Sequence, residues 1–588
     1  ASAYRLNDRL RALPHLVYMR MQQTGPHTEE QIKEKILGPV ELVSLEHDLQ
    51  FISSTLIRDS IDNNRDINHL VNPMVRDYIM EHKLYKRDDP FKTTVTSSQY
   101  TVEAVRGVTD EDLSFIQSVA KEDIMVHVRE EKPTVLRFKT VDTDELICIA
   151  LYEKIEIMDL YYYFRHIPTI SIIRESTRGP IAYLHGVFIN RRYHGLREEL
   201  INEAFAHIVS HNFDNMLFTN KMRYNKEYTE HLTQAGFRYI AQDPVHDTML
   251  VDTSSPITLN LDIEKYIKKP YNTHPSVLQT IRENRKKLKE TMTDLFPNTL
   301  ILSFTRSMIN QKLIERITAY NEVPAVPTQP RTLGRAICVP FGEHLNGEIV
   351  PNTVTKTIHT EKTFDRRIKK FTIKSFPYYL PLEDQCKIIN AFDKPVLLVD
   401  DLLHKGYRIR VVKPALEAND VEIEKMFVGI LSMKGLEFAM AENLEVEYSY
   451  FVPRLRYWFK ESDLYPYIGG DMVDTNLLNG TLIPTINLML PYVSPSFIKE
   501  GTNESIYALS KTCLENAASL FLQLERVYLD VNGKTVALRD IFDILHHPRI
   551  PDYKGLEDMD LTVSTSIRND LNLLRRLQAS ILRTGDDE

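Results

Sequence analysis

Val396 to Arg408 reads VLLVDDLLHKGYR. Four apolar residues lead into Asp400 and Asp401, a short loop containing Gly406 follows, and the helical pattern IRVVKPALEAN comes next. The runs KPVLLVD and, further on, KMFVGILSM are continuously apolar, as strands covered on both faces of a parallel sheet are. Such a strand delivers two carboxylates to its C-terminal end, where open α/β sheets bind ligands, and the loop opens a helix whose first amides can hold a phosphate. Carboxylates so placed can hold ribose hydroxyls or a magnesium ion bridging to pyrophosphate. The plainer reading of the same residues is an acidic strand end that caps a helix.

The surrounding chain has 588 residues, more than one hydrophobic core spans, and about 150 residues per domain suggests roughly four units. An apolar fraction of 43% with 26% charged residues is that of a globular protein. A net charge of −9 lacks the electrostatic footprint of a dedicated nucleic-acid binder, so no nucleic-acid partner is expected, although local basic patches are compatible with it. No apolar run approaches the roughly 18 residues that span a bilayer, and ASAYRLNDRLRALPHL has no signal-peptide core, so no membrane partner is expected either. Cys148, Cys338, Cys386 and Cys513 form no CxxC pair, which argues against a zinc set or a disulfide framework and fits a cytoplasmic location. ATPase, esterase and zinc-protease chemistry lacks its GxxxxGK[ST], GxSxG or HExxH motif.

Three polar or proline-containing stretches read as breaks: KRDDPFKTTVTSS from Lys86, VDTSSPITLN from Val251 and SPSFIKEGTN from Ser494. Between the first two, helical EDLSFIQSVAKED precedes strand-like LICIALYE, TISIIRE and IAYLHGVFI, then helical LREELINEAFAHIVSHN. After the second break comes the charged helix VLQTIRENRKKLKETMTDL, and after the third ESIYALSKTCLENAASLFLQLERVYL has helical spacing. The expected fold class is a multidomain α/β protein with divisions 1–92, 93–256, 257–500 and 501–588, the last of them α-helical. Residues 331–365, polar and glycine-containing, read as a mobile loop over a site. Its Lys356 and Lys362, with Arg366 and Arg367 beyond, either close on a pyrophosphate or are solvated.

Residues 52–58, ISSTLIR, are followed by HLVNPMVRDYIMEHKLY, in which a proline opens an amphipathic helix. A hydroxyl cluster before an arginine at a helix start suits a triphosphate, and equally a capped helix with a surface arginine. The segment resembles the C-terminal end of nicotinate or nicotinamide mononucleotide adenylyltransferases and the related cytidylyltransferases. The resemblance implies a helical tail in which Ser53, Ser54, Thr55 and Arg58 contact the nucleotide. That family's HxGH sequence is absent here, so the segment is read as a truncated or remnant nucleotidyltransferase. The missing N-terminal portion, or a second copy of the chain, then becomes an expected partner.

VFINRRYHGLREELI, from Val187, turns from a strand through basic residues and one glycine into a helix, an arrangement that suits a pyrophosphate or an ordinary strand-to-helix turn. With VRGVTDEDLSFI before it and NKEYTEHLTQAGF after it, residues 101–252 resemble the GNAT acetyltransferases. The resemblance implies a GNAT-like α/β domain in which Arg192, Gly195 and the amides up to Arg197 bind the pyrophosphate of coenzyme A or acetyl-coenzyme A. Asn225 would then lie beside the pantetheine arm. Leu232 stands where that family often has a tyrosine acid, and Tyr228, one turn earlier on the same face, either substitutes or packs. His185, on the apolar strand, is either a base or a structural histidine.

Residues 280–480 resemble the type I phosphoribosyltransferases, with VLLVDDLLHKGYR as the signature. The resemblance implies a parallel-sheet domain in which Asp400 and Asp401 serve catalysis, the ribose hydroxyls and Mg2+, while His404, Lys405, Gly406 and Arg408 form the 5′-phosphate loop. Together the three resemblances imply a transferase of nucleotide or coenzyme metabolism, acting on a phosphorylated ribose or a nucleotide phosphate. Its ligand would be a nucleotide, phosphoribosyl pyrophosphate or another phosphorylated small molecule. The alternatives are a non-catalytic regulatory protein that senses nucleotides or coenzyme A, and an acyl-coenzyme A dependent N-acetyltransferase.

Overall fold

The computed structural model describes residues 13–19, 38–44, 70–82, 84–85, 93–94, 99–120, 133–220, 226–242, 247–328, 330, 332–342, 344–345, 348–377, 379–474, 482–533, 536, 545–548 and 562–583, with isolated positions between 52 and 67. They fall into two compact units, Ala1–Pro90 with Ser375–Gln385, and Phe91–Lys374 with Cys386–Glu588. In the smaller unit β1 (His15–Met19) and β2 (Val40–Ser44) pair in parallel, and α1 (Pro73–Glu81) begins at its proline. The expectation of a purely helical segment is therefore corrected. HLVYM and VELVS are rich in β-branched and aromatic residues that favour extended backbone. Ile61, Ile67 and Ile79 form this unit's own core.

The larger unit opens with a meander: β3 (Tyr100–Arg106), α2 (Asp110–Ala120), β4 (Thr134–Thr140) and β5 (Leu146–Ile155), followed by α3 (Ile167–Ser176) and β6 (Ile181–Ile189). Next come α4 (Arg197–Ser210), β7 (Asn215–Asn220), α5 (Lys226–Gln234), β8 (Arg238–Gln242) and β9 (Asp247–Leu261). TISIIRE, read as strand, lies in α3. Pro168 sits in that helix's first turn, where a missing N–H costs nothing, and Ile170 and Ile173 are buried three residues apart on one face.

β9 runs through the stretch read as the second break. Its first half is antiparallel to β7 and β8; after a register shift between Asp252 and Ile257 its second half is parallel to two later strands. These are β10 (Thr299–Thr305), reached through α6 (Pro275–Leu295), and a strand that returns at residue 457. After α7 (Arg306–Tyr320), strand β11 (Ile337–Pro340) leads to the hairpin strands β12 (Thr360–Phe364) and β13 (Phe371–Ser375). The expected loop over 331–365 is thus partly ordered sheet. Its ICVP is fully buried beside the strand of the carboxylate pair.

A parallel sheet of order β11-β14-β15-β16 follows, built from β14 (Val396–Leu403), α8 (Ile409–Glu417), β15 (Ile423–Leu431), α9 (Met433–Ala441) and β16 (Val446–Phe451). The chain then supplies β17 (Tyr457–Lys460) to the first sheet, whose nine strands run β10-β9-β7-β6-β5-β4-β3 with β8 and β17 also on β9. β18 (Asp471–Val473), β19 (Leu482–Ile486), the helix α10 (Asn503–Asn532), β20 (Leu545–Pro548) and α11 (Val563–Arg583) complete it. One buried core joins the two sheets, from Leu136 and Phe138 to Leu397, Phe427 and Tyr450. A second joins α6, α10 and α11. No helix among the described residues is long and apolar enough to cross a membrane.

His207 on α4 contributes a pH-dependent part of this stability. Burial, with His211 and Lys312 adding to it, lowers its pKa from 6.5 to about 4. The unfolded chain therefore takes up this proton first, so stability is full above about pH 6.5 and falls as the pH drops towards 4. We expect the melting temperature of His207→Phe to fall less between pH 7 and pH 4 than that of the parent chain.

Candidate functional site

The mixed sheet contains a fork. β6 and β7 are parallel and pair only over Ile181–Leu184 with Asn215–Phe218, although β6 continues to Ile189. The separation starts at a β-bulge: Leu184 pairs with Tyr152 and Gly186 with Leu151, leaving His185 as the extra residue. An extra residue bends its strand and turns a side chain off the regular alternation, and such bulges recur beside active sites. Beyond it, among the described residues, no strand pairs with Gly186 to Ile189 on the β7 side. An open backbone edge inside a sheet suits an extended ligand that carries its own amides.

The two sides of the fork carry different chemistry. His185 Nε2 lies 3.1 Å from Glu153 Oε1, and the Tyr163 hydroxyl donates to the same oxygen. Glu153 comes from β5, directly opposite Tyr183, whose ring meets Tyr163 at 4.8 Å and His185 at 4.9 Å. Glu153 is only 6% exposed, so the carboxylate is fixed with a histidine and a phenol around it. The sequence pointed to His185; Glu153 and Tyr163 were missed. The available signal was a glutamate inside the otherwise apolar LICIALYEKI. On the other side Tyr228 of α5 lies against the Val187 amide and the Phe218 ring. Burial, and more weakly Cys148, keeps its phenol protonated far above the usual range.

The turn after β6 is a 3₁₀ helix, Arg191–Leu196, capped by the Asn190 side chain, which accepts from the Arg192 amide at 3.1 Å. The Tyr193 amide donates to the Asn190 carbonyl and the Arg197 amide to that of His194, so these donors are already used. Arg192 and Arg197 lie at this turn, and a methyl group at Gly195 would meet nothing within 4 Å. The first turn of α4 carries Glu198 and Glu199, which oppose an incoming pyrophosphate. Asn225 lies outside the described residues.

In the parallel sheet Asp400 and Asp401 lie within β14 rather than at its end, because Leu402 and Leu403 continue the strand and pair with Ile430 and Leu431 of β15, and both carboxylates meet cations of the protein. Arg408 Nη1 donates to Asp400 Oδ1 at 2.7 Å and its Nη2 lies 3.8 Å from Glu361. Lys460 Nζ is 3.9 Å from Asp401 Oδ2. Burial, only partly offset by Arg408 and reinforced by Asp401, raises the Asp400 pKa. For Asp401, Lys460, His344 and Arg408 together outweigh burial and hold it low. Adjacent buried carboxylates cannot both ionise cheaply, so the deeper Asp400 takes the proton more readily despite its nearer partner.

His404 Nδ1 lies 2.7 Å from the Ser432 hydroxyl, which also caps α9, while Lys405 is exposed. Gly406 has φ +67° and a Cβ there would lie 2.3 Å from the Phe438 ring. Gly406→Ala is expected to cost about 3 kcal/mol in urea unfolding, from the left-handed backbone and the clash together. Among the described residues no group of three or more His, Cys, Asp or Glu is placed to hold a metal. Asp400 and Asp401, expected as magnesium ligands, are the partners of Arg408 and Lys460.

In the smaller unit Ser54 and Arg58 are exposed on helical backbone, the Arg58 guanidinium 5.4 Å from the Tyr85 ring centre; Ser53 and Thr55 lie outside the described residues.

No protein family profile matches the sequence, and no curated protein matches it. Among solved structures the chain is similar to a GNAT-family acetyltransferase from Listeria monocytogenes, at 13% identity over 27% of this chain and 99% of that one, with a TM-score of 0.19. It is also similar to an N-acetyltransferase from Staphylococcus aureus, at 14% identity over 26% and 98% with a TM-score of 0.18. A third similarity is to the ribosomal-protein-S18-alanine N-acetyltransferase from Escherichia coli, at 10% identity over 26% and 90% with a TM-score of 0.18.

Proposed function

We propose that the larger unit binds an acyl-coenzyme A along the open edge of β6 and transfers the acyl group to a primary amine. The observation that carries this reading is the fork itself, where among the described residues no strand pairs with β6 beyond Leu184 on the β7 side, between a Glu153–His185 pair and a buried, protonated Tyr228 that meets the Val187 amide. The bound thioester supplies the acyl group. His185 takes the proton from the attacking amine, and the Glu153 carboxylate balances the charge that the imidazole gains. Tyr228, kept protonated by burial, donates to the sulfur as the carbon–sulfur bond breaks and the carbon–nitrogen bond forms.

The helix start contributes little to binding on this account, because the turn amides at Arg192, Tyr193 and Arg197 are used and Glu198 and Glu199 oppose phosphate. Titration calorimetry with acetyl-coenzyme A and with acetyl-pantetheine is therefore expected to give affinities within about tenfold of each other. Binding of acetyl-coenzyme A alone, lost on Gly195→Trp, would transfer the recognition to the turn.

A second reading concerns the parallel sheet. The ion pair of Arg408 with Asp400 favours recognition of a phosphorylated ribose or nucleotide there without turnover, since the carboxylate that would hold the ribose is already neutralised. On this reading the site regulates the chain rather than catalysing phosphoribosyl or nucleotidyl transfer.

A further inference from the structure

The hairpin between β12 and β13 carries a charge imbalance that neither reading uses. Residues 361–374 read EKTFDRRIKKFTIK, six cations against two carboxylates in a chain whose net charge is −9. At the base of the hairpin the cations are matched: Lys362 meets Asp471 at 2.9 Å and Lys374 meets Asp474 at 2.8 Å. At the tip Arg367, Lys369 and Lys370 are not. Asp365 is engaged in building the turn: its Oδ1 accepts from the Lys369 amide at 2.9 Å, its amide donates to the Lys370 carbonyl, and its carbonyl accepts from Ile368. Around this fixed turn Arg366, Arg367, Lys369 and Lys370 are exposed. Among the described residues, no carboxylate lies within 4.0 Å of Arg367, Lys369 or Lys370.

An exposed aromatic ring adjoins the same hairpin. Tyr407, 49% exposed, meets the Phe371 ring of β13 edge-on at 5.1 Å, and the exposed cations Lys405 and Arg410 flank it in sequence. Unmatched cations beside an exposed aromatic face are what a single strand of nucleic acid requires, the cations for its phosphates and the ring for a base. An anionic membrane is the weaker match, since Ile368, the tip's one apolar side chain, is half-buried rather than available for insertion. We propose that the β12–β13 tip and Tyr407 form a docking surface for single-stranded nucleic acid.

The test is fluorescence anisotropy of the full chain with labelled oligo(U) and oligo(dT) of about 12 nucleotides, within the span that one such surface covers, between about 50 and 200 mM salt. Binding is expected to weaken steeply with salt. Arg367→Ala/Lys369→Ala/Lys370→Ala is expected to bind at least about tenfold more weakly at the low salt and to flatten the logarithmic salt slope by about 2, at roughly 0.7 for each phosphate that is no longer neutralised. Tyr407→Ala is expected to weaken binding at least about fivefold with the slope unchanged, as removal of a stacking ring does. The melting temperature reports whether the triple variant folds; if it does not, Arg367→Ala alone is expected to flatten the slope by about 0.7. No binding by the parent chain, equal binding by the variants, or capture by phosphatidylserine vesicles but not by either oligonucleotide would overturn the proposal.

Discussion

Glu153→Gln is expected to lower kcat for acyl transfer from acetyl-coenzyme A to a primary amine by about 100-fold or more, the range in which positioned general bases act. Glutamine keeps the shape of the side chain and can still accept from the Tyr163 hydroxyl, so the change removes charge and little else. What disappears is the carboxylate that balances the imidazole of His185 when it takes the proton. His185→Gln is expected to cause a similar loss, and the double variant little more than either single one, because the two residues act as a unit. The affinity for acetyl-coenzyme A is expected to hold, since neither side chain supplies the open backbone edge. Steady-state kinetics with a saturating amine checks this; a Glu153→Gln enzyme within about threefold of the parent kcat would contradict the assignment.

Arg408→Ala is expected to destabilise the chain by about 3 kcal/mol or more in urea unfolding, because it leaves the buried Asp400 without its counter-ion. The pH dependence carries a sign. Burial and Asp401 already raise the folded-state pKa of Asp400, and removing Arg408 raises it further. The stability of the variant is therefore best preserved at low pH, where Asp400 is protonated in both states, and is lost as the pH rises through the folded pKa. Adding Asp400→Asn is expected to recover most of the loss, whereas an equal loss in the double variant would place the contribution of Arg408 elsewhere. Weaker phosphoribosyl pyrophosphate binding by Arg408→Ala than by the parent chain would support the recognition reading of the parallel sheet, and tighter binding would contradict it.

Helical periodicity was clear enough to locate α2, α4, α6 and α10, and continuous apolar runs located β14 and β15. TISIIRE was ambiguous because a short apolar run reads either way, and Pro168 together with the three-residue spacing of Ile170 and Ile173 decided it for helix. ICVP is a four-residue strand inside a long polar stretch, and only pairing with β14 identifies it. Of the fork, His185 was legible as a polar residue on an apolar strand. Its pairing with Glu153 was not, because it depends on the register of β5 against β6 and on a bulge that sequence alternation does not show. Asp400 and Asp401 were read as a strand end, but the apolar Leu402 and Leu403 after them extend β14; the return of Arg408 across the loop onto Asp400 is a tertiary contact with no local signature.

Hydrogen–deuterium exchange with and without acetyl-coenzyme A tests the fork most directly. Slower exchange in the peptide covering residues 185–189, with no change over residues 400–408, is the predicted result, because an amide-bearing ligand on the open edge of β6 ties down that backbone. Unchanged exchange over 185–189 at saturating ligand, or protection confined to 400–408, would contradict it.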